Sequence, residues 1–121
     1  MEPTPYNQVV ATAKLHITEI VQQAKEENIC LILTSLLPIH IPILMDERSR
    51  KNYIKELNEW LAEVAKNNNL IFVNYYATMV FPGTDKPLDK ITYDGLHPNA
   101  KGYQIMATVL RNTLKKYEIL I

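Results

Sequence analysis

A continuous apolar run at residues 29–33, Ile-Cys-Leu-Ile-Leu, most constrains what this chain can fold into. The run is rich in branched side chains, which is typical of a strand buried on both faces of a parallel sheet. Amphipathic helical patterns lie before and after it. The run therefore predicts an α/β fold in which this strand belongs to a parallel sheet and needs cover on both faces, which three helices around two strands supply only incompletely.

The first helix is predicted to begin at Thr4, which can act as its N-cap, with Pro5 at the first helical position. The helix is expected to end near Asn28. Its apolar residues recur at steps of three and four, so they are expected to face the core. They are Val10, Ala13, Ile17, Ile20, Val21 and Ala24.

A second helix follows from Asp46, which can cap it, and ends within residues 67–69. Its apolar stripe consists of Tyr53, Ile54, Leu57, Trp60, Leu61 and Val64. A second short strand is predicted from Leu70 to Val73. Two parallel strands joined by a helix form a right-handed βαβ unit.

The last predicted helix begins at about Asn99, which gives two strands and three main helices in all. Its predicted core-facing stripe is Tyr103, Met106, Ala107, Leu110, Leu114 and Tyr117. A two-stranded parallel sheet leaves backbone groups unpaired at both of its edges. We therefore expect the sheet to be completed by another element, from a partner chain or from a second copy of this chain.

Composition narrows the possible partners. The 121 residues suit one domain, and the 13 basic and 13 acidic residues are interspersed, with no net charge. Nothing in this pattern indicates binding to nucleic acid or to an anionic membrane. No apolar run reaches the roughly 20 residues that a membrane span requires, and the start of the chain has no signal-peptide pattern. The one cysteine, Cys30, lies in the apolar run and is expected to be buried.

Ligands of open α/β sheets bind beyond the carboxyl ends of the strands. The first strand ends in Thr34 and Ser35, and an apolar, proline-bearing segment runs on from Leu36 to Met45. This segment has two interpretations, a pocket wall for an acyl chain or a loop packed against a neighbour. The candidate substrate-binding residues here are Ser35, Leu36, Leu37 and His40.

A long connection is predicted from Tyr75 to Thr92. It contains Asp85 and Asp89, which could be combined with Asp94 and His97 into a metal site. The spacing of these residues matches no known ligand signature. We therefore predict neither a metal nor another cofactor.

The stretch from Tyr93 to Tyr103 places an acid and an imidazole three residues apart at a helix start. Pro98 disfavours the α region for the residue before it, so His97 is predicted at the N-cap and Pro98 at the first helical position. Gly95 allows the backbone to bend, and Asp94 can then fold back to accept a ring N–H of His97. Such a pair suits a general base.

Residues 94–103, Asp-Gly-Leu-His-Pro-Asn-Ala-Lys-Gly-Tyr, closely resemble the last signature block of the SGNH (GDSL-type) hydrolases. The resemblance implies that Asp94 and His97 are two members of a Ser-His-Asp triad for ester hydrolysis, acting on an ester of a lipid, a sugar or a small alcohol. It also implies a three-layer α/β/α sandwich with a parallel, flavodoxin-like sheet, of which this chain would be the C-terminal half.

The other motifs of that family are not in this sequence. They are a Gly-Asp-Ser serine, and a glycine and a Gly-x-Asn-Asp asparagine that form the oxyanion hole. Ser35 stands in Thr-Ser-Leu-Leu-Pro, which has neither setting. We therefore expect residues 1–121 to be a single, incomplete hydrolase domain that is inactive alone. The alternative is a non-catalytic α/β module that completes its sheet by association.

Overall fold

In the computed structural model, the described residues are 5–41 and 47–117. Within them lie two strands, three long helices and one short helix. These elements are α1 (Pro5–Glu26), β1 (Ile32–Thr34), α2 (Glu47–Asn67), β2 (Ile71–Val73), α3 (Tyr75–Met79) and α4 (Ala100–Lys116). The predicted α/β class is confirmed, and α3 is the element that the sequence did not predict. The predicted caps Thr4 and Asp46 lie outside the described residues, as do residues 42–45.

The two strands are parallel, as predicted. Ile32 pairs with Ile71, and Thr34 pairs with Val73. The backbone N–H of Ser35 donates to the carbonyl of Val73 at 2.9 Å, which extends the pairing beyond β1. The carboxyl ends of both strands therefore lie at one end of the sheet.

Helices cover the two faces of the sheet and produce a three-layer arrangement. On one face, α1 and α2 bury a cluster formed by Val21, Leu33, Leu57, Leu61 and Ala65. On the other face, α3 and α4 bury a cluster formed by Ile71, Val73, Tyr75, Met79, Ile91 and Leu114. The side chains of β2 alternate between these two clusters because successive residues of a strand point to opposite faces.

The prediction that the first strand is buried on both faces is wrong. Leu33 is buried, whereas its neighbours Ile32 and Thr34 are exposed. The helices α3 and α4 pack over β2 on that face and leave β1 open. Cys30 is also exposed, contrary to expectation, because it precedes the paired part of the strand. In α1, Ile20 of the predicted core stripe is half exposed.

The predicted core face of the last helix is shifted. Tyr103, Ala107 and Tyr117 are exposed. The face turned towards the core instead consists of Gly102, Ile105, Met106, Val109, Leu110 and Leu114. Gly102 fixes this rotation, since its backbone packs against Ile91.

Two asparagines end the first two long helices near the predicted positions. Asn28 and Asn69 have φ angles of 57° and 55°, in the left-handed region that asparagine tolerates better than most residues. The next residue in each case donates its N–H back into the helix, Ile29 to Ala24 and Leu70 to Ala65, both at 2.8 Å. These caps turn the chain directly towards β1 and β2.

Candidate active site

Asp94 and His97 form a compact turn just before α4. One carboxylate oxygen of Asp94, Oδ1, accepts the backbone N–H groups of Leu96 at 2.9 Å and His97 at 2.7 Å. The other, Oδ2, lies 2.6 Å from ring Nδ1 of His97. The prediction that Asp94 folds back onto the imidazole is confirmed.

This network determines the protonation of the pair. The hydrogen bonds lower the pKa of the Asp94 carboxyl group to about 2 from its ordinary value of 3.8, and the backbone N–H of His97 is the largest cause. Asp94 is therefore ionised at neutral pH and can only accept hydrogen bonds. Because Oδ2 can only accept, Nδ1 of His97 is the donor in this contact, which leaves Nε2 as the ring nitrogen that can act as a base.

The His97 side chain is 69% exposed. Within residues 5–41 and 47–117, no hydrogen bond occupies Nε2. The basic nitrogen is therefore open to a reacting group, whereas Nδ1 is held by Asp94. A general base requires this arrangement, in which one ring nitrogen is held in place and the other is free to take a proton.

Further hydrogen bonds close the turn on itself. The N–H of Tyr93 donates to the carbonyl of His97 at 3.0 Å, and Thr92 forms an antiparallel bridge with Pro98. Thr92 also accepts the N–H of Gly95 through its hydroxyl oxygen at 2.9 Å. Gly95 has a φ of +88°, which confirms the need for a residue without a side chain. The acid and the imidazole are thus presented by a small, closed loop.

The predicted N-cap of the last helix is wrong by two residues. Asn99 is the N-cap of α4, and its Oδ1 accepts the N–H of Gly102 at 3.0 Å. Pro98 precedes the cap rather than occupying the first helical position. Asparagine is a far better cap than histidine because its side-chain oxygen can reach the free backbone N–H groups.

Asn99 also fastens the loop to the helix, a role that sequence reasoning missed. Its Nδ2 donates to the carbonyls of Lys90 at 2.9 Å and Thr92 at 3.4 Å, and its backbone N–H donates to Ile91 at 2.9 Å. The preference of asparagine for N-cap positions could have identified the cap from the sequence. The bonds to residues 90–92 could not be identified in this way, because they depend on tertiary structure. A Cβ on Gly102 would lie 2.4 Å from the Ile91 carbonyl oxygen, so this contact also requires glycine.

The candidate residues after β1 have partners within the protein. Ser35 is 5% exposed, and its hydroxyl oxygen accepts the N–H of Tyr76 at 2.9 Å. The backbone of Leu36 is held by Asn58, whose Oδ1 accepts the Leu36 N–H at 2.6 Å. Leu37 packs partly buried against the core on the α4 side. Their role in substrate binding stays a prediction.

His40, another candidate of this segment, contacts the Asp94–His97 turn. Its backbone N–H donates to the carbonyl of Gly95 at 3.0 Å. The segment at residues 36–41 therefore packs against the loop that carries the acid and the imidazole.

In the described part of the chain, the two other acidic residues of the long connection do not form a metal-ligand group with this turn. Asp85 lies 3.5 Å from both Arg48 and Lys51 of α2, and Asp89 is exposed. Among the described residues, no group of three or more His, Cys, Asp or Glu side chains could hold a metal ion. The same part of the chain contains no helix long and apolar enough to cross a membrane.

The fold and the site together define a three-layer α/β protein that presents an oriented carboxylate–imidazole pair at the start of its last helix. Residues 3–105 match the model of the GDSL-like lipase/acylhydrolase family. The chain belongs to this family, which confirms the family that residues 94–103 were found to resemble.

Solved structures agree with this assignment. A GDSL-like lipase from Bacteroides thetaiotaomicron is 36% identical, with a TM-score of 0.71 over 84% of this chain and 50% of its own. A candidate acylhydrolase from Bacteroides fragilis is 29% identical, with a TM-score of 0.72 over 97% of this chain and 55% of its own. The present chain thus spans about half the length of these relatives. No curated protein is significantly similar in sequence.

Proposed function

We propose that this chain supplies the acid–base half of a serine ester hydrolase, with Asp94 and His97 as its catalytic residues. The observation that carries the proposal is the 2.6 Å contact between Asp94 Oδ2 and His97 Nδ1, which leaves Nε2 exposed. Family membership supports ester hydrolysis as the general reaction. The substrate is an ester of a lipid, a sugar or a small alcohol.

The proposed reaction assigns a separate task to each residue. His97 Nε2 takes the proton of a serine hydroxyl as the serine oxygen attacks the ester carbonyl, and then delivers that proton to the departing alcohol. Asp94 holds the ring in the required tautomer and stabilises the imidazolium that forms between these steps.

The serine and the oxyanion donors are proposed to come from outside residues 1–121. No Gly-Asp-Ser or Gly-x-Asn-Asp occurs in the sequence. Ser35 is a poor replacement because it is buried and holds the N–H of Tyr76. We place the missing segment beside β1, whose Ile32 is exposed on the face that α3 and α4 leave open. A further strand there would pair the backbone and cover this surface.

A chimera tests the proposal. The part of the Bacteroides thetaiotaomicron protein that this chain does not cover is fused before Met1, and hydrolysis of p-nitrophenyl acetate is measured. The chimera should hydrolyse the ester catalytically, whereas the 121-residue chain should hydrolyse it no faster than denatured protein. His97→Ala in the chimera should lower kcat by at least about 10³-fold, because triad members act as a unit.

His16→Ala is the matched control, since His16 is an exposed histidine of α1. It should leave kcat unchanged. Wild-type kcat in the His97→Ala chimera would show that His97 is structural. Robust turnover by the 121-residue chain that disappears in Ser35→Ala would overturn the proposal of an external nucleophile.

The second candidate is the non-catalytic module that completes its sheet by association. It is favoured by the same exposed apolar surface, in particular by Ile32 on the open strand. Light scattering separates the two proposals. A stable assembly well above 14.0 kDa that reverts to a monomer in Ile32→Lys would favour the module, whereas a well-folded monomer would count against it.

A further inference from the structure

The turn that carries the acid and the imidazole rests on the backbone of His40. Besides the 3.0 Å hydrogen bond from His40 N–H to the Gly95 carbonyl, the carbonyl of His40 lies against the side of Gly95 on which a side chain would stand. A Cβ built on Gly95 would lie 2.0 Å from the carbonyl oxygen of His40 and 3.4 Å from a side-chain carbon of Ile41. Gly95 is thus enclosed by residues 40–41, and it lies between Asp94 and His97 in the chain.

The side chain of His40 points to a second element. Its Nδ1 lies 2.8 Å from Oε1 of Glu47, in the first turn of α2. Both atoms are shielded from solvent, and their approach does not have hydrogen-bond geometry. Arg50, one turn further along the helix, forms no ion pair with Glu47, and within residues 5–41 and 47–117 its buried Nε and Nη2 have no hydrogen-bond partner. Among the described residues, His40 is therefore the group that faces the buried Glu47 oxygen.

These contacts form a continuous path from α2 to the candidate active site. The Glu47 carboxylate lies against the His40 ring, the His40 backbone N–H donates to Gly95, and Gly95 sets the bend between Asp94 and His97. Bonds within residues 92–97 fix the shape of the turn, but its placement against the sheet depends on its outside contacts. Side chains that lock such contacts determine how accurately a reacting group is positioned.

The geometry points to His40 and Glu47 as positioning residues, which together seat the Asp94–His97 turn on the first turn of α2. Neither side chain touches the reacting atoms in this role. The catalytic consequence rests on the proposed function, whereas the positioning itself does not. The positioning can therefore be tested in the 121-residue chain with a measurement that does not require enzymatic activity.

Amide hydrogen exchange measured by NMR at neutral pH tests this inference. Glu47→Gln and His40→Ala should each accelerate exchange at the backbone N–H groups of His40, Leu96 and His97 by about tenfold. Interior amides of α2 and α4 should exchange at the wild-type rate, which separates local release of the turn from global destabilisation. The low-field resonance of the His97 Nδ1 proton should also shift.

Glu63→Gln is the matched control, because Glu63 is an exposed glutamate of the same helix. It should change none of these rates. His40→Asn, which restores a polar side-chain nitrogen near the Nδ1 position, should recover part of the lost protection.

Unchanged exchange at Leu96 and His97 in both variants would overturn the inference, and so would uniform acceleration throughout the chain. The hydrolase proposal and the positioning proposal are rejected by different results. An inactive chimera with the exchange pattern intact would reject the hydrolase proposal and keep the positioning. An active chimera in which exchange in the turn is unchanged by Glu47→Gln and His40→Ala would reject the positioning and keep the hydrolase proposal.

Discussion

The carboxylate of Asp94 contacts His97 twice, at the backbone N–H at 2.7 Å and at ring Nδ1 at 2.6 Å. One side chain therefore fixes both the path of the main chain and the orientation of the imidazole. The position of the ring cannot change without loss of a bond to an ionised acceptor, which is stronger than a bond between neutral groups.

The first prediction concerns the titration of Asp94. Its pKa of about 2 in the folded chain lies below the ordinary 3.8, so its bonds stabilise the turn fully above pH 3.8. That contribution is lost as the pH falls through about 2. The ¹³Cγ shift of Asp94, followed against pH by NMR, should report this midpoint. His97→Ala should raise the midpoint, because the ring contact is removed while the backbone bonds remain. A wild-type midpoint at 3.8 or above would contradict the network.

The second prediction compares two glycines with positive φ. Gly83→Ala, at φ +75° with no atom within 4 Å of the new Cβ, should cost about 1 kcal/mol in the free energy of unfolding from backbone strain alone. Gly95→Ala, at φ +88° and against the His40 carbonyl, should cost about 3 kcal/mol because backbone must also move. Urea unfolding measures both values. Equal losses would show that the approach of His40 to Gly95 is not close in solution.

The third prediction separates the two roles of Asn99. Asn99→Ala removes both the cap and the amide bonds to Lys90 and Thr92, and it should cost about 2–3 kcal/mol in the free energy of unfolding. Asn99→Asp keeps the capping oxygen and loses the amide donors, so its loss should be intermediate. Asn74→Ala, at the N-cap of the short α3, should cost about 1 kcal/mol. If Asn99→Asp had the same free energy of unfolding as the wild type in urea, the hydrogen bonds of the Asn99 amide would not contribute to stability.

The fourth prediction assigns Ser35 a structural role. Ser35→Ala leaves the partly buried N–H of Tyr76 without its acceptor, which should cost about 1–2 kcal/mol in the free energy of unfolding. Ser49→Ala, on the exposed side of α2, should stay within about 0.5 kcal/mol of the wild type. In the chimera, Ser35→Ala should keep the wild-type kcat. Loss of turnover without loss of stability would instead identify Ser35 as a reacting group.

Local features of the sequence were sufficient for part of this picture. The contact between Asp94 and His97 was predictable because it spans three residues, with a flexible Gly95 between them. The ends of α1 and α2 were predictable because asparagine tolerates the left-handed conformation at Asn28 and Asn69. The order of the long elements followed from hydrophobic periodicity alone.

Features that depend on distant contacts were not predictable in this way. Pro98 suits either the first position of a helix or the residue before its cap, and the bonds of Asn99 to residues 90–92 decide between them. The exposure of Ile32 reflects which helix covers which strand, and an apolar run does not contain that information. The short helix α3 begins at the cap residue Asn74, but a five-residue helix leaves no periodic pattern to read.

The closure of the turn on itself has a consequence for the evolution of the family. Both oxygens of the Asp94 carboxylate are occupied by Leu96 and His97, so the chemistry of the pair is encoded within a few adjacent codons. Insertions and deletions elsewhere in the domain can then reshape its surface while the contact between Asp94 and His97 is kept. In the proposed hydrolase, such changes would alter which ester is accepted without altering the orientation of the acid and the base.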